Sequence, residues 1–203
     1  MDESIKAEFN KQWHESIKGT WHQMQWMGIK VLKTPTDLWM YQELIVRIRP
    51  DWIIETGTCF GGSALFLAHI CAGIGCGRVL SIDINKPKRP VKHPRIQFYQ
   101  GDSVAPKTVA DAKRPGKVMV ILDSCHKKDH VLKELELYGP LVTPGSYMIV
   151  EDTCTGRTVQ KNHGPGPGDA LDEWLPKQSR FVRDLNCEKY HLTFNPGGYL
   201  KCL

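Results

Sequence analysis

The chain has 203 residues, of which 41% are hydrophobic and 24% charged, with a net charge of +5. That is the balance of a globular domain with a full core, and no apolar run approaches the ~20 residues needed to span a bilayer. Seven scattered cysteines without a CxxC pair argue for reduced thiols over a disulfide framework or a zinc site.

The opening stretch "MDESIKAEFNKQWHESIKG" is charged throughout, without a signal-peptide core, and points to a cytoplasmic protein. Residues 1–50 read as an N-terminal helical segment of a single domain covering 1–203. Its first helix is "DESIKAEFNKQWHESI". After a Trp-rich connection its second is "TDLWMYQELIVRIRP", with Thr36 as N-cap and Pro50 as stop. Short apolar runs then alternate with helical patterns. "DWIIET" (51–56), "RVLSIDI" (78–84), "RIQFYQ" (95–100), "KVMVILD" and "SYMIVED" read as strands. "GSALFLAHICAGI", a short stretch near 104–113, "KKDHVLKELELYG" and "DALDEWLPK" read as helices. "RFVRDLNCE" and "YHLTFNPGGYLKCL" read as strands turned by Asn-Pro-Gly-Gly. The basic cluster "NKPKRPVKHPR" at 85–95 lacks the interleaved aromatics of a single-strand binding surface, so it reads as a solvated loop and no nucleic-acid partner is expected.

Continuous apolar strands alternating with helices call for a mostly parallel α/β sheet with helices on both faces. Such sheets bind ligands at the carboxyl ends of their strands, where Asp83, Asp123, Glu151 and Asp152 all fall. The loop after the first strand, "ETGTCFGGSALF", breaks the GxGxxG spacing of a dinucleotide fold, and Glu55 before it would repel a pyrophosphate. An acid there suits a cofactor with an ammonium group, such as S-adenosylmethionine (SAM). Asp83, 26 residues after Gly57, is placed for ribose hydroxyls, and "GDS" (101–103) for the adenine.

Asp123, Glu151 and Asp152 offer hard oxygen donors suited to Mg²⁺ or a similar divalent ion. His126, three residues beyond Asp123, is a candidate general base. His126 and His130 also have the i, i+4 spacing of a helical zinc site, but no third ligand matches. His130 reads as packed or exposed. The Gly/Pro-rich loop 155–168, with His163, reads as a lid over the acceptor.

Taken together, "VLKTPTDLWMYQE", "PDWIIETGTCFGGSALF", "HPRIQFYQGDS", "VMVILDSCHKKDHVLKEL", "GSYMIVEDT", "GPGPGDALDEWL" and "LTFNPGGYL" resemble the cephalosporin hydroxylase / rhamnosyl O-methyltransferase family. The resemblance runs from about residue 28 nearly to the end. It implies a Rossmann-like class I SAM-methyltransferase fold, with a mostly parallel seven-stranded sheet and a C-terminal antiparallel hairpin. It places Mg²⁺ ligands on Asp123, Glu151 and Asp152. SAM contacts fall on Glu55, Gly57, Ser63, Asp83 and Ser103, with Thr58, Asp102 and Asp123 in the same loops. His126 stands where catechol-type enzymes keep a lysine base. The expected activity is Mg²⁺-dependent methyl transfer to a hydroxyl of a sugar, phenol or natural-product scaffold. A homo-oligomer is allowed for; nucleic acid and membrane are not expected as partners. An Fe(II) hydroxylase and a non-catalytic SAM-fold subunit are the alternatives.

Overall fold

Residues Val118–Leu122 are buried from end to end. Successive side chains of a strand leave opposite faces, so both faces of the sheet that holds them must be covered. A computed structural model of the chain, which describes residues 3–15, 20–87 and 91–203, shows that arrangement. Val118, Val120 and Leu122 join one apolar cluster, while Met119 and Ile121 join another across the sheet.

In chain order the elements are α1 (Glu3–Glu15), a small antiparallel ribbon of β1 (Gln25–Trp26) and β2 (Ile29–Lys30), and α2 (Pro35–Ile48). Then come β3 (Trp52–Thr56), α3 (Gly62–Gly73), β4 (Arg78–Asp83), β5 (Ile96–Gln100) and α4 (Pro106–Ala112). β6 (Val118–Leu122), α5 (Lys128–Tyr138), β7 (Tyr147–Val150), α6 (Pro167–Trp174), β8 (Phe181–Arg183) and β9 (Tyr199–Cys202) complete the chain. The main sheet has seven strands in the order β5-β4-β3-β6-β7-β9-β8. β3 to β7 are parallel, and β9 runs antiparallel to both β7 and β8. α2 and α3 pack over one face, on Ile53, Met119 and Ile149. α4, α5 and α6 pack over the other, on Ile54, Leu80 and Val120. No helix among the described residues is long and apolar enough to cross a membrane.

Two expectations shift, and parts of two others lie outside the described residues. The cap of α2 is Thr34 and not Thr36: the Asp37 N–H donates to Thr34 Oγ1 at 3.1 Å, and Pro35 takes the first helical position. Proline is favoured there because its missing N–H would be unpaired anyway. The end of the first predicted helix, with the four residues after Glu15, lies outside the described residues, as does part of the basic cluster at 88–90. The C-terminal hairpin forms, but its strands are short and its connection is the whole of 184–198; Asn-Pro-Gly-Gly merely feeds β9. Thr193 and Asn195 spend their polar groups on holding other elements, so that segment does not extend the ladder.

Candidate functional site

Five parallel strands deliver their carboxyl ends to one edge of the sheet, and the acids at those ends meet there. Two of the cavities along this edge are lined by those acids. One, of about 360 Å³, is lined by Asp83, Asn85, Gly101, Asp102, Ser103 and His130 among others. The second, of about 220 Å³, is lined by Trp21, Lys33, Ser63, Asp123, His126 and Asp152 among others. Gly57, Cys59 and Ser124 wall both, so an elongated ligand fits the two end to end.

The turn after β3 requires glycine. Gly57 has φ +89°, in the left-handed region, and a Cβ there would lie 1.9 Å from the Asp123 carbonyl oxygen. The loop is closed by Asp83, whose Oδ2 accepts the N–H groups of Thr58 (2.9 Å) and Cys59 (3.0 Å). Its Oδ1 accepts the Asn85 N–H at 2.8 Å, and Asp83 lines the larger cavity. Glu55, the penultimate residue of β3, is fully buried. Ser81 donates to its Oε2 at 2.7 Å, while Oε1 is buried without a partner. Burial pushes the Glu55 pKa up to about 7. An orphaned, buried carboxylate oxygen is costly. Glu55 itself lines neither cavity; its polar neighbour Ser63 lines the smaller one.

The acid cluster departs from its expected form. Lys33, 3% exposed, sets its ammonium 2.8 Å from Asp123 Oδ2 and 2.6 Å from Glu151 Oε1. Burial works against that charge, but the two carboxylates hold the Lys33 pKa well above its ordinary value. Glu151 also accepts the Tyr41 hydroxyl, so its carboxylate is engaged by protein groups. What converges on open space is Asp123, His126 and Asp152, whose ligand atoms lie within 4.8 Å of one another. His126 Nε2 is 3.2 Å from Asp152 Oδ2. Asp152 sits at φ +53°, uncommon for a residue with a Cβ and costing of order 1–3 kcal/mol. The Asn195 side-chain oxygen holds this strained peptide by accepting its N–H at 2.8 Å. Burial raises the pKa of Asp123, Glu151 and Asp152 alike, against the lowering effect of the Lys33 ammonium on all three.

The acids and His126 singled out in the sequence lie at this edge, but the residues that support them carried no sequence signal. Lys33, inside the quoted "VLKTPTD", carried no local signal of pairing with residues far along the chain. His130 belongs to the wall of the larger cavity. The Gly/Pro-rich loop lines neither cavity. It is tied to the start of α5 by Lys128 N–H to Pro165 O (3.2 Å) and Lys127 Nζ to His163 O (2.7 Å). The N-terminal segment supplies the cover instead, through Trp21 and residues 30–33.

A family model described as Rhamnosyl O-methyltransferase/CmcI matches residues 18–203. The chain belongs to this family. It is 37% identical over 209 residues to a rhamnosyl O-methyltransferase of Mycobacterium leprae (strain TN), covering 98% of this chain and 90% of the relative. It is 33% identical over 211 residues to one of Mycobacterium tuberculosis (strain ATCC 25618 / H37Rv), covering 98% and 85%. Among solved structures, CmcI with Mg-SAM superposes with a TM-score of 0.70 at 21% identity, over 90% of this chain and 77% of that one. MycE methyltransferase in complex with Mg and SAH gives 0.53 at 20% identity, over 83% and 42%.

Membership of the Rhamnosyl O-methyltransferase/CmcI family makes this chain a SAM-dependent O-methyltransferase with the class I fold. In this member the edge-on pair of cavities is divided by the 57–59 turn, with acids at each end.

Proposed function

We propose that the chain transfers the methyl group of SAM to a hydroxyl of a small, sugar-bearing acceptor, with a Mg²⁺-like cation at the Asp123–Asp152 end. The observation that carries this reading is the meeting of Asp123, Asp152 and His126 in the wall of a cavity contiguous with one lined by Asp83, Asp102 and Ser103. The rhamnosyl name of the relatives supports a sugar hydroxyl, and the CmcI and MycE structures support the cofactor pair.

The residues fit both groups. Glu55 Oε1 is a buried acceptor without a donor, and Gly57, with no Cβ, lets the turn that walls both cavities pack against the Asp123 backbone. Asp123 and Asp152 are hard oxygen donors suited to a hard divalent ion. Glu151, the third acid, would join them only by releasing Lys33. SAM supplies an electrophilic methyl group, and the cation, when bound, lowers the pKa of the acceptor hydroxyl.

The rest falls to the protein. Glu55 accepts the cofactor ammonium, with Thr58 and Ser63 beside it. Asp83, Asp102 and Ser103 hold the nucleoside. His126, oriented by Asp152, takes the hydroxyl proton. Lys33 neutralises Asp123 and Glu151 so that their mutual repulsion does not open the site. Holding the acceptor oxygen at the methyl group supplies much of the rate by removing translational freedom.

The test is transfer of labelled methyl from SAM to a rhamnoside, with and without EDTA. Turnover that EDTA abolishes and Mg²⁺ restores is expected. Full activity in excess chelator would remove the metal, and absence of any SAM or S-adenosylhomocysteine (SAH) binding would remove the whole reading.

A further inference from the structure

One buried group has no place in the scheme above. Glu134, on α5, is fully buried; its Oε1 accepts the Ser124 hydroxyl at 2.7 Å and its Oε2 has no partner. A hydroxyl has one proton, and Ser124 has given it to Glu134, so the Ser124 oxygen must accept from its other neighbour. The nearest is His130 Nε2 at 3.1 Å, against 3.5 Å for Ser103 Oγ, and the same Nε2 is 3.1 Å from Ser103 Oγ. Tyr138, one turn beyond Glu134, donates its hydroxyl to the Ser103 carbonyl at 2.9 Å. Glu134 therefore orients Ser124, Ser124 orients the imidazole, and the imidazole bridges the loop after β5 to the loop after β6.

The ring so held lies in the wall of the 360 Å³ cavity, with Asp83, Asp102 and Ser103. Its Nε2 faces the two serines, with Glu134 Oε1 behind them at 3.7 Å. Nδ1 is the polar atom left over. With Nε2 donating to the Ser124 oxygen, Nδ1 of the neutral ring is an acceptor, which the exocyclic amine of adenine satisfies and a carbonyl at that position does not.

We propose that His130 is a binding residue for the adenine end of the cofactor, set in place by Ser124, Ser103 and the buried Glu134. This rests on reading that cavity as the nucleoside end of the SAM site. A network satisfied on one side and open to a cavity on the other has the form of a preorganised ligand contact, because its ordering cost is met before the ligand arrives.

The test is calorimetric titration with SAH and with its inosine counterpart, in which a carbonyl replaces the amine and a ring nitrogen carries a proton. The native protein should prefer SAH. His130→Ala should weaken SAH binding about tenfold or more and narrow that preference. His130→Gln retains an amide donor toward the serines but lacks Nδ1; it should keep the native melting temperature and still show the narrowed preference. An unchanged SAH affinity, or an unchanged preference in the folded His130→Gln variant, overturns the assignment while leaving the methyltransferase reading intact. Failure of the native protein to bind SAH would overturn both.

Discussion

Glu55 and Lys33 are the two residues whose chemistry most constrains this site. Glu55 has its folded-state pKa raised from 4.5 to about 7 by burial. The folded protein therefore binds more protons than the unfolded chain between those values, and stability falls as pH rises through that window. The loss sums to roughly 3 kcal/mol by linkage. Glu55→Gln should remove that slope, leaving the ligand-free protein more stable than native at pH 8 in urea titration, while weakening SAH binding. Because a cofactor ammonium prefers ionised Glu55, SAH binding at pH 6 should release protons, seen as a dependence of calorimetric enthalpy on buffer ionisation. Equal enthalpies across buffers would count against the ammonium contact. Lys33 makes the complementary case. Removing one partner of a buried ionic cluster strands the others, at about 3–5 kcal/mol. Lys33→Met should lose stability of that order, and a change below ~1 kcal/mol would mean the acids are neutralised by something else.

Among the elements, the turn after β3 and the start of α2 decide whether the edge holds its shape. Gly57→Ala would force a Cβ toward the Asp123 carbonyl in a backbone conformation that side chains rarely adopt. Since one carbonyl separates the cofactor turn from the acid cluster, that variant should lose both SAH and Mn²⁺ binding. Retention of either in calorimetry would show that the turn relaxes independently. α2 is anchored by Asp37, buried, which accepts the hydroxyls of Thr34 (2.7 Å), Thr193 (2.5 Å) and Tyr199 (2.7 Å) and the Phe194 N–H (3.0 Å). Asp37→Ala strands four donors, each worth about 1–3 kcal/mol when left buried and unpaired. The expected loss exceeds ~3 kcal/mol in chemical denaturation.

For the whole molecule, the arrangement of two cavities on one sheet edge makes cofactor and metal functions separable. Asp152 lines only the smaller cavity, whereas Asp83 lines only the larger. Asp152→Asn should abolish turnover and Mn²⁺ binding and leave the SAH dissociation constant within about threefold of native. Asp83→Ala should do the reverse to binding, losing SAH and retaining Mn²⁺. Loss of both ligands in both variants would show that the cavities act as one site.

How much of this was legible in the chain depends on how local each cause is. The strands, their parallel order and the acids at their ends follow from short apolar runs alternating with helices, because that connectivity carries every strand's carboxyl end to the same edge. Glu55, Gly57, Asp83 and Asp123 were readable for that reason. What only the tertiary structure decided was which charges meet. Lys33 pairs with residues 90 and 118 positions away, and Asn195 braces Asp152 from 43 away. Likewise nothing in "YHLTFNPGGYLKCL" marks 193–195 as a brace, since β propensity there is overridden by the buried side chains of Asp37 and Tyr41 and the strained peptide of Asp152, which need partners. Periodicity records burial along one element; the pairing of buried charges depends on where different elements come to rest.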